Sequence, residues 1–433
     1  MRIRLDSIGC RLNIGEAQDL ARHLARRGHR IVGPGEAADL FVFNTCAVTH
    51  LAARKSRKLI RHLRRANPDS PVVVTGCYAE LSPEEVEALG VDLVVGNKDK
   101  DELPLVLEQA GLLRDADPIP AADATPFPAI SNARTRAFVK VQDGCDNRCT
   151  FCIVTVARGE ARSRPLTEVV AHVDELVEAG CQEAVLSGVH LGAYGHERPG
   201  GLEGLIRGIL AETSIARLRL SSLEPWDLSA GFFKLWEDPR LLPHLHLPLQ
   251  SGCHATLQRM ARRTTQREFA DLVAGARAEI SDLAVTTDVM VGFPGETEEE
   301  FAESIEFVER MQFAKLHVFR YSPREGTAAA SMPDHVPASM AQLRSRQMHV
   351  LGAETQRTYQ RRFLGREMAV LWETPEVRED SMTWSGLTGN YLRVVTHTPL
   401  DADLGNKVIP ARLTGEIPAG LTAETAYSTA AEA

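Results

Sequence analysis

Short apolar runs alternate with helical stretches over the first 115 residues of the chain. Four runs have the composition of strands, RIRLDSIG, DLFVFN, PVVVTG and DLVVG, and helical patterns at 16–28, 50–66 and 83–90 lie between them. Helices between successive strands are typical of a parallel sheet. The pattern therefore predicts an α/β fold that begins with an open parallel α/β sheet domain over residues 1–115.

The middle of the chain resumes this alternation after an interruption. A Pro- and Ala-rich stretch without periodicity, DADPIPAADATPFPAIS, predicts a linker over residues 116–131. From residue 137 onward there are six strand candidates, AFVKV, EAVLSG, ARLRLS, HLHLPL, AVTTDVMV and KLHVFRY, with helical segments such as 166–180, 266–280 and 297–312 between them. Six β/α units indicate an incomplete version of the eightfold barrel, a partial (β/α)6 barrel over residues 132–362.

The last part of the chain has a different pattern. After a helical stretch near 339–361, short strand candidates such as MAVLWE, LRVVTH and KVIPARLTG are interrupted by Gly, Pro and Asn. Short strands with such turn residues predict a small all-β barrel, which we place at residues 363–430.

Composition narrows the class of protein. The 433 residues are 44% hydrophobic and 25% charged, as in ordinary globular proteins, which excludes a disordered or fibrous chain. The N-terminal MRIRLDSIGC lacks the apolar region of a signal peptide, and no apolar run approaches the ~18 residues of a membrane span. We expect a cytoplasmic protein without a membrane partner.

Positive charge is concentrated near the N-terminus. The net charge is -9, yet residues 1–65 hold 14 Lys and Arg against 5 Asp and Glu. Seven of the fifteen residues in AARKSRKLIRHLRRA, at 52–66, are basic. A helix of this composition suits contact with RNA phosphates, although a solvated helix face has the same composition. The candidate RNA-binding residues of this helix are Arg54, Lys55, Arg57, Lys58 and Arg61.

The spacing of three cysteines points to an iron-sulfur cluster. Cys145, Cys149 and Cys152 form a C-x3-C-x2-C pattern directly after the first barrel strand. A 4Fe–4S cubane takes four ligands, so three thiolates leave one iron open for a small chelating ligand. Zinc would require a fourth Cys or His in paired spacing, and none is offered nearby.

A second set of three cysteines lies in the predicted sheet domain. Cys10, Cys46 and Cys77 each follow a strand candidate, and the carboxyl ends of parallel strands border one crevice. A second cluster with an open iron accounts for all three, although any one of them alone could be a small buried residue. Cys181 and Cys253 do not belong to either set of three cysteines, and we expect them to be structural.

Polar residues follow the barrel strands where such barrels place their sites. Other basic residues could clamp a carboxylate or phosphate or could form a solvated turn. The residues at these strand ends include the polar Ser187, Ser222, Glu224 and Gln250 and also Gly188. The basic residues are Arg158, Arg162 and Arg164 after the cysteine loop and Arg320 at the end of the sixth strand.

The cysteine loop, with Phe151 before its last cysteine, resembles the signature of the radical S-adenosylmethionine (SAM) superfamily. The resemblance implies that the open iron binds the amino and carboxylate groups of SAM, which the reduced cluster cleaves to a 5′-deoxyadenosyl radical. It also implies that the region of Ser187 and Gly188 meets the amino group of SAM. The ribose or methionyl portion would meet Ser222, Glu224 or Gln250. The residues implied for SAM binding are Phe151, Ser187, Gly188, Ser222, Glu224 and Gln250.

The chain as a whole resembles the radical SAM methylthiotransferases, which carry two 4Fe–4S clusters and act on modified adenosines of tRNA or on a ribosomal protein aspartate. GCRLN, SGVHLGAYG, HLHLPLQSGC and HVFRYSPREGTAA are similar to the branch that converts N6-threonylcarbamoyladenosine at tRNA position 37, next to the anticodon, to its 2-methylthio derivative. This resemblance implies a sulfur-transferring tRNA-modifying enzyme, a flavodoxin- or ferredoxin-type electron donor and a monomer. Isopentenyladenosine in tRNA and the ribosomal protein aspartate remain alternative substrates.

Two stretches depart from the expected patterns. Val154, Thr155 and Val156 stand where the family has a proline-aromatic pair before ARG. The 363–430 segment resembles the RNA-binding TRAM module through GLTGNYLRV, yet it contains an acidic run of Glu373, Glu376, Glu379 and Asp380. A non-catalytic iron-sulfur protein that binds RNA or transfers electrons is the alternative of another class. The open iron argues against this alternative, because a protein that transfers electrons needs fully ligated clusters.

Overall fold

The computed structural model of the protein describes residues 1–114, 135–196, 200–378, 380–418 and 420–428. The chain divides into two compact units. The first contains residues 1–147, 152–180 and 187–189, and the second contains 148–151, 181–186 and 190–433. The boundary between the two units runs through the cysteine loop. The three domains at 1–115, 132–362 and 363–430 remain a prediction. The predicted linker at 116–131 lies outside the described residues.

The first unit begins with a five-stranded parallel sheet and its helices. The elements in chain order are β1 (Arg2–Ser7), α1 (Arg11–Arg26), β2 (Arg30–Val32), β3 (Leu40–Thr45), α2 (His50–Ala66), β4 (Val72–Gly76), α3 (Cys77–Leu81), α4 (Pro83–Glu87), β5 (Leu93–Val95) and α5 (Leu103–Gln109). The strand order in the sheet is β2-β1-β3-β4-β5, and its pairs include Ile3 with Leu40 and Val73 with Leu93.

Both faces of this sheet are covered by apolar side chains. In β3, Leu40 and Val42 pack in one core cluster while Phe41 and Phe43 pack in another, because successive side chains of a strand point to opposite faces. A strand buried on both faces is apolar along its length, which is why the sequence pattern identified it. The predicted open parallel sheet is confirmed. Strand β2 is not apparent from the sequence, because a strand of three residues is too short for a periodic signal.

The first unit continues past the sheet with β6 (Ala137–Lys140), β7 (Gln142–Asp143), α6 (Val154–Arg158), β8 (Arg162–Ser163) and α7 (Leu166–Glu178). Helix α1 lies close to β6 at Gly15, where a Cβ atom would stand 2.6 Å from the carbonyl oxygen of Phe138. A glycine is therefore required for this approach. The Phe138 N–H also donates to Gln18 Oε1 at 3.0 Å.

The remaining strands of the predicted barrel are parallel. The elements are β9 (Glu183–Ser187), α8 (Gly201–Glu212), β10 (Arg217–Leu220), β11 (His244–His246), α9 (His254–Arg259), α10 (Gln266–Glu279), β12 (Ala284–Val291), α11 (Glu298–Met311), β13 (Lys315–Arg320) and α12 (Ala338–Arg361). Strand β9 pairs with β10, β11 with β12 and β12 with β13, and single parallel bridges join Leu218 to Leu241 and Ser222 to His246. The helices α7, α10 and α11 match the predicted helical segments to within two residues at each end.

The C-terminal part is a closed six-stranded β barrel, as predicted. The strands are β14 (Glu367–Trp372), β15 (Glu376–Val377), β16 (Met382–Thr388), β17 (Arg393–Thr398), β18 (Val408–Ile417) and β19 (Gly420–Glu424). Their order is β14-β18-β19-β17-β16-β15, and an added pairing of β14 with β16 closes the sheet on itself. Trp372, Trp384 and Leu413 are among the residues of the barrel core. Throughout the described ranges, no helix combines the length and the apolar character that a membrane span requires.

Candidate active site

The three N-terminal cysteines follow three neighbouring strands of the sheet. Cys10 is the N-cap residue of α1 after β1, Cys46 follows β3, and Cys77 is the first residue of α3 after β4. Burial raises the pKa of the Cys46 thiol to about 11, and the charges of Cys10 and Cys77 act in the same direction. Charges influence one another in this way only over short distances, so the sheet brings the three thiols together.

Two glycines permit this convergence. A Cβ atom at Gly9, where φ is +124°, would lie 2.5 Å from Cys46 Cβ and 3.0 Å from Cys46 Sγ. Gly76 has φ of +97°, and a Cβ atom there would stand 2.4 Å from the carbonyl oxygen of Thr45. Both turns therefore need a residue without a side chain.

The ligand set of this site fits a cluster better than a single ion. Three cysteine sulfurs are the ligands that iron-sulfur clusters use. Among the residues that the structure describes, no three His, Cys, Asp or Glu side chains are grouped tightly enough to share one metal ion. A cubane takes each thiolate on a different iron, so its ligands stand further apart than those of a single ion.

Three polar side chains hold the turns that carry these cysteines. Asn13 Nδ2 donates to the carbonyl oxygens of Ile8 at 3.1 Å and Thr45 at 2.9 Å. Ser56 Oγ donates to the Cys46 carbonyl at 3.1 Å, and Asn97 Nδ2 contacts Cys77 Sγ at 3.8 Å. These three residues are not apparent from the sequence, because the local pattern around a single asparagine or serine does not report its tertiary partners.

The arginines after the cysteine loop differ in exposure. The side chain of Arg158 is only 3% exposed, and it donates to Glu16 and Asp143 at 2.8 and 3.0 Å. Arg162, at 48% exposure, reaches the other oxygen of Asp143 at 3.2 Å, and Arg164 donates to the Lys140 carbonyl at 3.1 Å. Substrate contact by Arg162 and Arg164 stays a prediction. The burial of Arg158 is unlike that of a residue that meets RNA at the surface.

The cysteines of the C-x3-C-x2-C loop are all partly exposed. In the first unit, the Cys145 N–H donates to the Gly159 carbonyl at 3.0 Å. In the second unit, Thr150 donates its N–H to the Met260 carbonyl at 3.1 Å and its hydroxyl to the Arg259 carbonyl at 2.9 Å. The loop is thus fixed by hydrogen bonds of its backbone and of the Thr150 hydroxyl, while its cysteines stay partly exposed.

A buried arginine approaches one of these cysteines. Arg262 Nη1 lies 3.7 Å from Cys149 Sγ, and the same guanidinium forms two bonds with Glu224 at 3.2 and 2.5 Å. It also lies 4.5 Å from the centre of the Trp226 ring. Burial opposes the charge, but Glu224 and Cys149 raise the pKa of Arg262 above its ordinary value. The role of Arg262 is not apparent from the sequence, since nothing in the local pattern separates it from solvated arginines at a helix end.

The other residues implied for SAM binding lie at strand ends. The carbonyl oxygen of Ser187, at the end of β9, accepts the N–H of Val141 at 2.9 Å; Gly188 follows it, and Ser222 follows β10. Gln250 has a left-handed φ of +71°, which is uncommon for a residue with a side chain and often marks a functional position. Phe151 packs edge-on against Phe293, with 6.5 Å between the ring centres.

The basic helix α2 begins four residues after Cys46 and is capped by Thr49, whose hydroxyl accepts the Ala52 N–H at 3.1 Å. Arg57 is partly buried and contacts Tyr78 Oη and Glu85, each at 3.4 Å. The basic side chains of this helix that are exposed include Arg54, Lys55, Lys58, Arg61 and Arg65, and Arg320 of β13 is exposed as well. The predicted basic surface therefore exists, and its binding of RNA stays a prediction.

Two family descriptions match the chain. Residues 2–96 match the Uncharacterized protein family UPF0004, and residues 139–308 match the Radical SAM superfamily. A solved radical SAM methyltransferase, TsrM from Kitasatospora setae with cobalamin and a 4Fe–4S cluster bound, has a TM-score of 0.57 at 15% identity and covers 76% of this chain and 77% of its own. At that identity the likeness concerns the fold alone. The superfamily match and the cysteine loop define a radical SAM enzyme, a class that uses SAM and a 4Fe–4S cluster.

Curated relatives cover nearly the whole chain. The threonylcarbamoyladenosine tRNA methylthiotransferase MtaB of Bacillus subtilis (strain 168) is 36% identical over 411 residues, which are 91% of this chain and 90% of the relative. MtaB of Thermotoga maritima is 35% identical over 378 residues, 86% of each chain. The tRNA-2-methylthio-N(6)-dimethylallyladenosine synthase of Novosphingobium aromaticivorans is 35% identical over 382 residues, also 86% of each. The chain belongs to the radical SAM methylthiotransferase family.

Proposed function

We propose that this enzyme converts N6-threonylcarbamoyladenosine next to the anticodon of tRNA to its 2-methylthio derivative. The observation that carries the proposal is the 36% identity, over 91% of the chain, to a relative named for that substrate. Two further relatives with the same name are 35% and 33% identical. The residue patterns similar to the threonylcarbamoyl branch support the same substrate.

The two sets of cysteines support a division of labour. We assign the radical cluster to Cys145, Cys149 and Cys152, and a second cluster to Cys10, Cys46 and Cys77. When bound, the first cluster with SAM would supply the radical that takes hydrogen from C2 of the adenine, and the second would supply sulfur as a methylthio group. The convergence of the N-terminal thiols and the glycines at their turns fit this assignment.

The residues around the radical cluster would bind and orient SAM. Arg262 fixes both oxygens of Glu224, so that carboxylate is held in one direction. Gln250 is anchored on both sides, with its N–H on the Asp288 carbonyl at 2.9 Å and its own carbonyl accepting the Met290 N–H at 2.7 Å. Fixed groups at the ends of parallel strands suit the recognition of a small polar cofactor.

The substrate would contact polar and basic groups. A threonylcarbamoyl group carries a carboxylate, a hydroxyl and a urea, which need partners that an isopentenyl group would leave unpaired. Arg320 is exposed at the end of β13, and the hydroxyl of the adjoining Tyr321 is buried with no hydrogen-bond partner within the described part of the chain. The exposed basic side chains of α2 would contact phosphates of the tRNA.

Dimethylallyladenosine is the second candidate substrate, because relatives named for it reach 35% identity. Mass spectrometry of nucleosides from cells that lack the protein distinguishes the two. We expect the 2-methylthio derivative of threonylcarbamoyladenosine to disappear and the unmethylthiolated nucleoside to accumulate. Loss of the 2-methylthio derivative of the isopentenyl nucleoside instead would contradict the proposal.

A further inference from the structure

Arg158 is an arginine in the interior of the first unit. It is the last residue of α6 and lies six positions after Cys152. Its guanidinium donates from Nη1 to Glu16 and Asp143 and from Nη2 to Asn13 Oδ1, the last at 2.8 Å. A buried cation is tolerated only with such partners, because removal from water is costly.

The two buried carboxylates, Glu16 and Asp143, each have a lysine nearby in addition to Arg158. Lys140 lies 3.6 Å from both of them and bonds to the exposed Asp101 at 2.6 Å, and Lys100 bonds to Glu16. The network thus joins three buried basic side chains to two buried carboxylates and one exposed carboxylate. Since the two lysines already face the carboxylates, neutralising them does not by itself explain a third buried cation.

Arg158 also acts on the N-terminal cysteines. Burial raises the pKa of Cys46, and the charge of Arg158 opposes that rise. Burial likewise opposes the charge on Arg158, while Glu16 and Cys77 raise its pKa well above the ordinary value. Burial raises the pKa of Cys10 as well, and the charge of Arg158 opposes that rise. The guanidinium is therefore within electrostatic reach of all three thiols.

The same end of α6 is bonded to the residues that hold the cysteine turns. Asn13, which accepts from Arg158, has its Oδ1 3.5 Å from Cys10 Sγ. Asn97 Nδ2 contacts Cys77 Sγ and donates to the Ala157 carbonyl at 2.6 Å. Arg158 is thus held in a fixed place relative to the site.

We propose that Arg158 is a positioning residue that raises the reduction potential of the cluster held by Cys10, Cys46 and Cys77. This inference rests on the proposed function, because it needs that cluster. A cubane with three thiolates is anionic, and reduction adds a further negative charge. A guanidinium that keeps its proton at all ordinary pH values, in a medium of low polarity, stabilises the reduced form more than the oxidised form.

The test measures the midpoint potential of this cluster alone. The full chain with Cys145, Cys149 and Cys152 replaced by Ala is reconstituted anaerobically and titrated by electron paramagnetic resonance. Arg158→Gln removes the charge and Arg158→Lys keeps it, while Glu16→Gln removes an opposing charge. Arg162→Gln is the matched control, because Arg162 bonds to the same Asp143 from an exposed position.

We expect Arg158→Gln to shift the potential to more negative values and Glu16→Gln to shift it to more positive values. Arg158→Lys should stay nearer to the parent, and Arg162→Gln should leave the potential unchanged. If the Arg158→Gln variant takes up no iron, the Glu16→Gln variant tests the proposal instead: a shift to more positive potential supports it, and a shift to more negative potential contradicts it.

Two results would overturn the inference. The first is an unchanged midpoint potential in both Arg158→Gln and Glu16→Gln, or a shift of both in the same direction. Either outcome would show that Arg158 does not tune the cluster, while the assignment of the cluster would stand. If the parent with three cysteines replaced takes up no iron, the assignment of the second cluster is wrong and the inference fails with it.

Discussion

Arg262 and Glu224 form a two-bond ion pair, with Nη1–Oε1 and Nη2–Oε2 distances of 3.2 and 2.5 Å, and the Arg262 side chain is 1% exposed. Such a pair fixes the plane of the carboxylate as well as its position. The pair therefore links a predicted SAM contact to the neighbourhood of Cys149, which Arg262 also approaches.

Arg262→Lys should weaken SAM binding while the protein still folds and takes up iron. Lysine keeps the charge but cannot form the two parallel bonds. Glu224→Ala should lower the free energy of unfolding by about 3–5 kcal/mol, because it leaves the buried guanidinium without its carboxylate. Chemical unfolding measures the stability, and equilibrium dialysis of the reconstituted protein measures SAM binding. If Arg262→Lys bound SAM as tightly as the wild type, the two parallel bonds from Arg262 to Glu224 would not be needed for SAM binding.

Replacing Cys10, Cys46 and Cys77 together with Ala should remove about half of the bound iron and abolish methylthio product. Cleavage of SAM to 5′-deoxyadenosine should continue, because the other cluster is untouched. Iron assay and chromatography of the nucleosides report both results. Cys181→Ala is the control, since this cysteine is buried and donates to the Glu183 carbonyl at 3.4 Å. A triple variant that still makes methylthio product would refute the sulfur-donor assignment.

Charge reversal at Arg54, Lys58 and Arg61 should weaken tRNA binding without changing SAM cleavage. All three are exposed on α2. Each phosphate contact that is lost should flatten the dependence of log affinity on log salt by about one unit. Arg57 is left intact, because its contacts with Tyr78 and Glu85 belong to the fold.

The matched control reverses the same number of charges on exposed positions elsewhere, at Arg310, Arg346 and Arg357. If both triple variants lose affinity equally, the effect comes from net charge and α2 is not a specific surface.

Acid should destabilise the first unit through His172. Burial lowers its pKa to about 3, with Asp19 opposing the shift and Arg22 adding to it, against 6.5 for an exposed histidine. Between pH 3 and pH 6.5, His172 therefore binds a proton in the unfolded chain but not in the folded protein. The contribution of neutral His172 to stability is present above pH 6.5 and falls by about 1.4 kcal/mol per pH unit as the pH drops toward 3.

His172→Gln should flatten the part of the stability-pH profile that lies below 6.5. Urea unfolding at a series of pH values between 7 and 5 measures it. Equal slopes for the wild type and the variant would mean that His172 is not the group that titrates.

The sequence predicted those parts of the fold that rest on local pattern. The apolar runs at Leu40–Thr45 and Val72–Gly76 became buried strands, because a parallel sheet covered on both faces needs continuous apolar residues. The positions of Cys10, Cys46 and Cys77 at strand ends followed from the same pattern. The three-residue strand Arg30–Val32 was missed, because so short a run has no period.

The charged parts of the site could not be predicted in the same way. Arg158 and Arg162 stand four positions apart in one basic stretch, yet one is buried and the other exposed. The difference depends on Glu16 and Asp143, whose positions come from tertiary packing and not from the local sequence. Arg262 is a similar case, since its partner Glu224 lies 38 positions away.

The most direct test of the account offers the purified, reduced enzyme and SAM equal amounts of two tRNAs, one with threonylcarbamoyladenosine and one with isopentenyladenosine. A site built for polar groups rejects an apolar analogue strongly. Mass spectrometry of the digested tRNAs should show the 2-methylthio group on the threonylcarbamoyl nucleoside and the isopentenyl nucleoside unchanged. Equal or preferential methylthiolation of the isopentenyl nucleoside would contradict the proposed substrate.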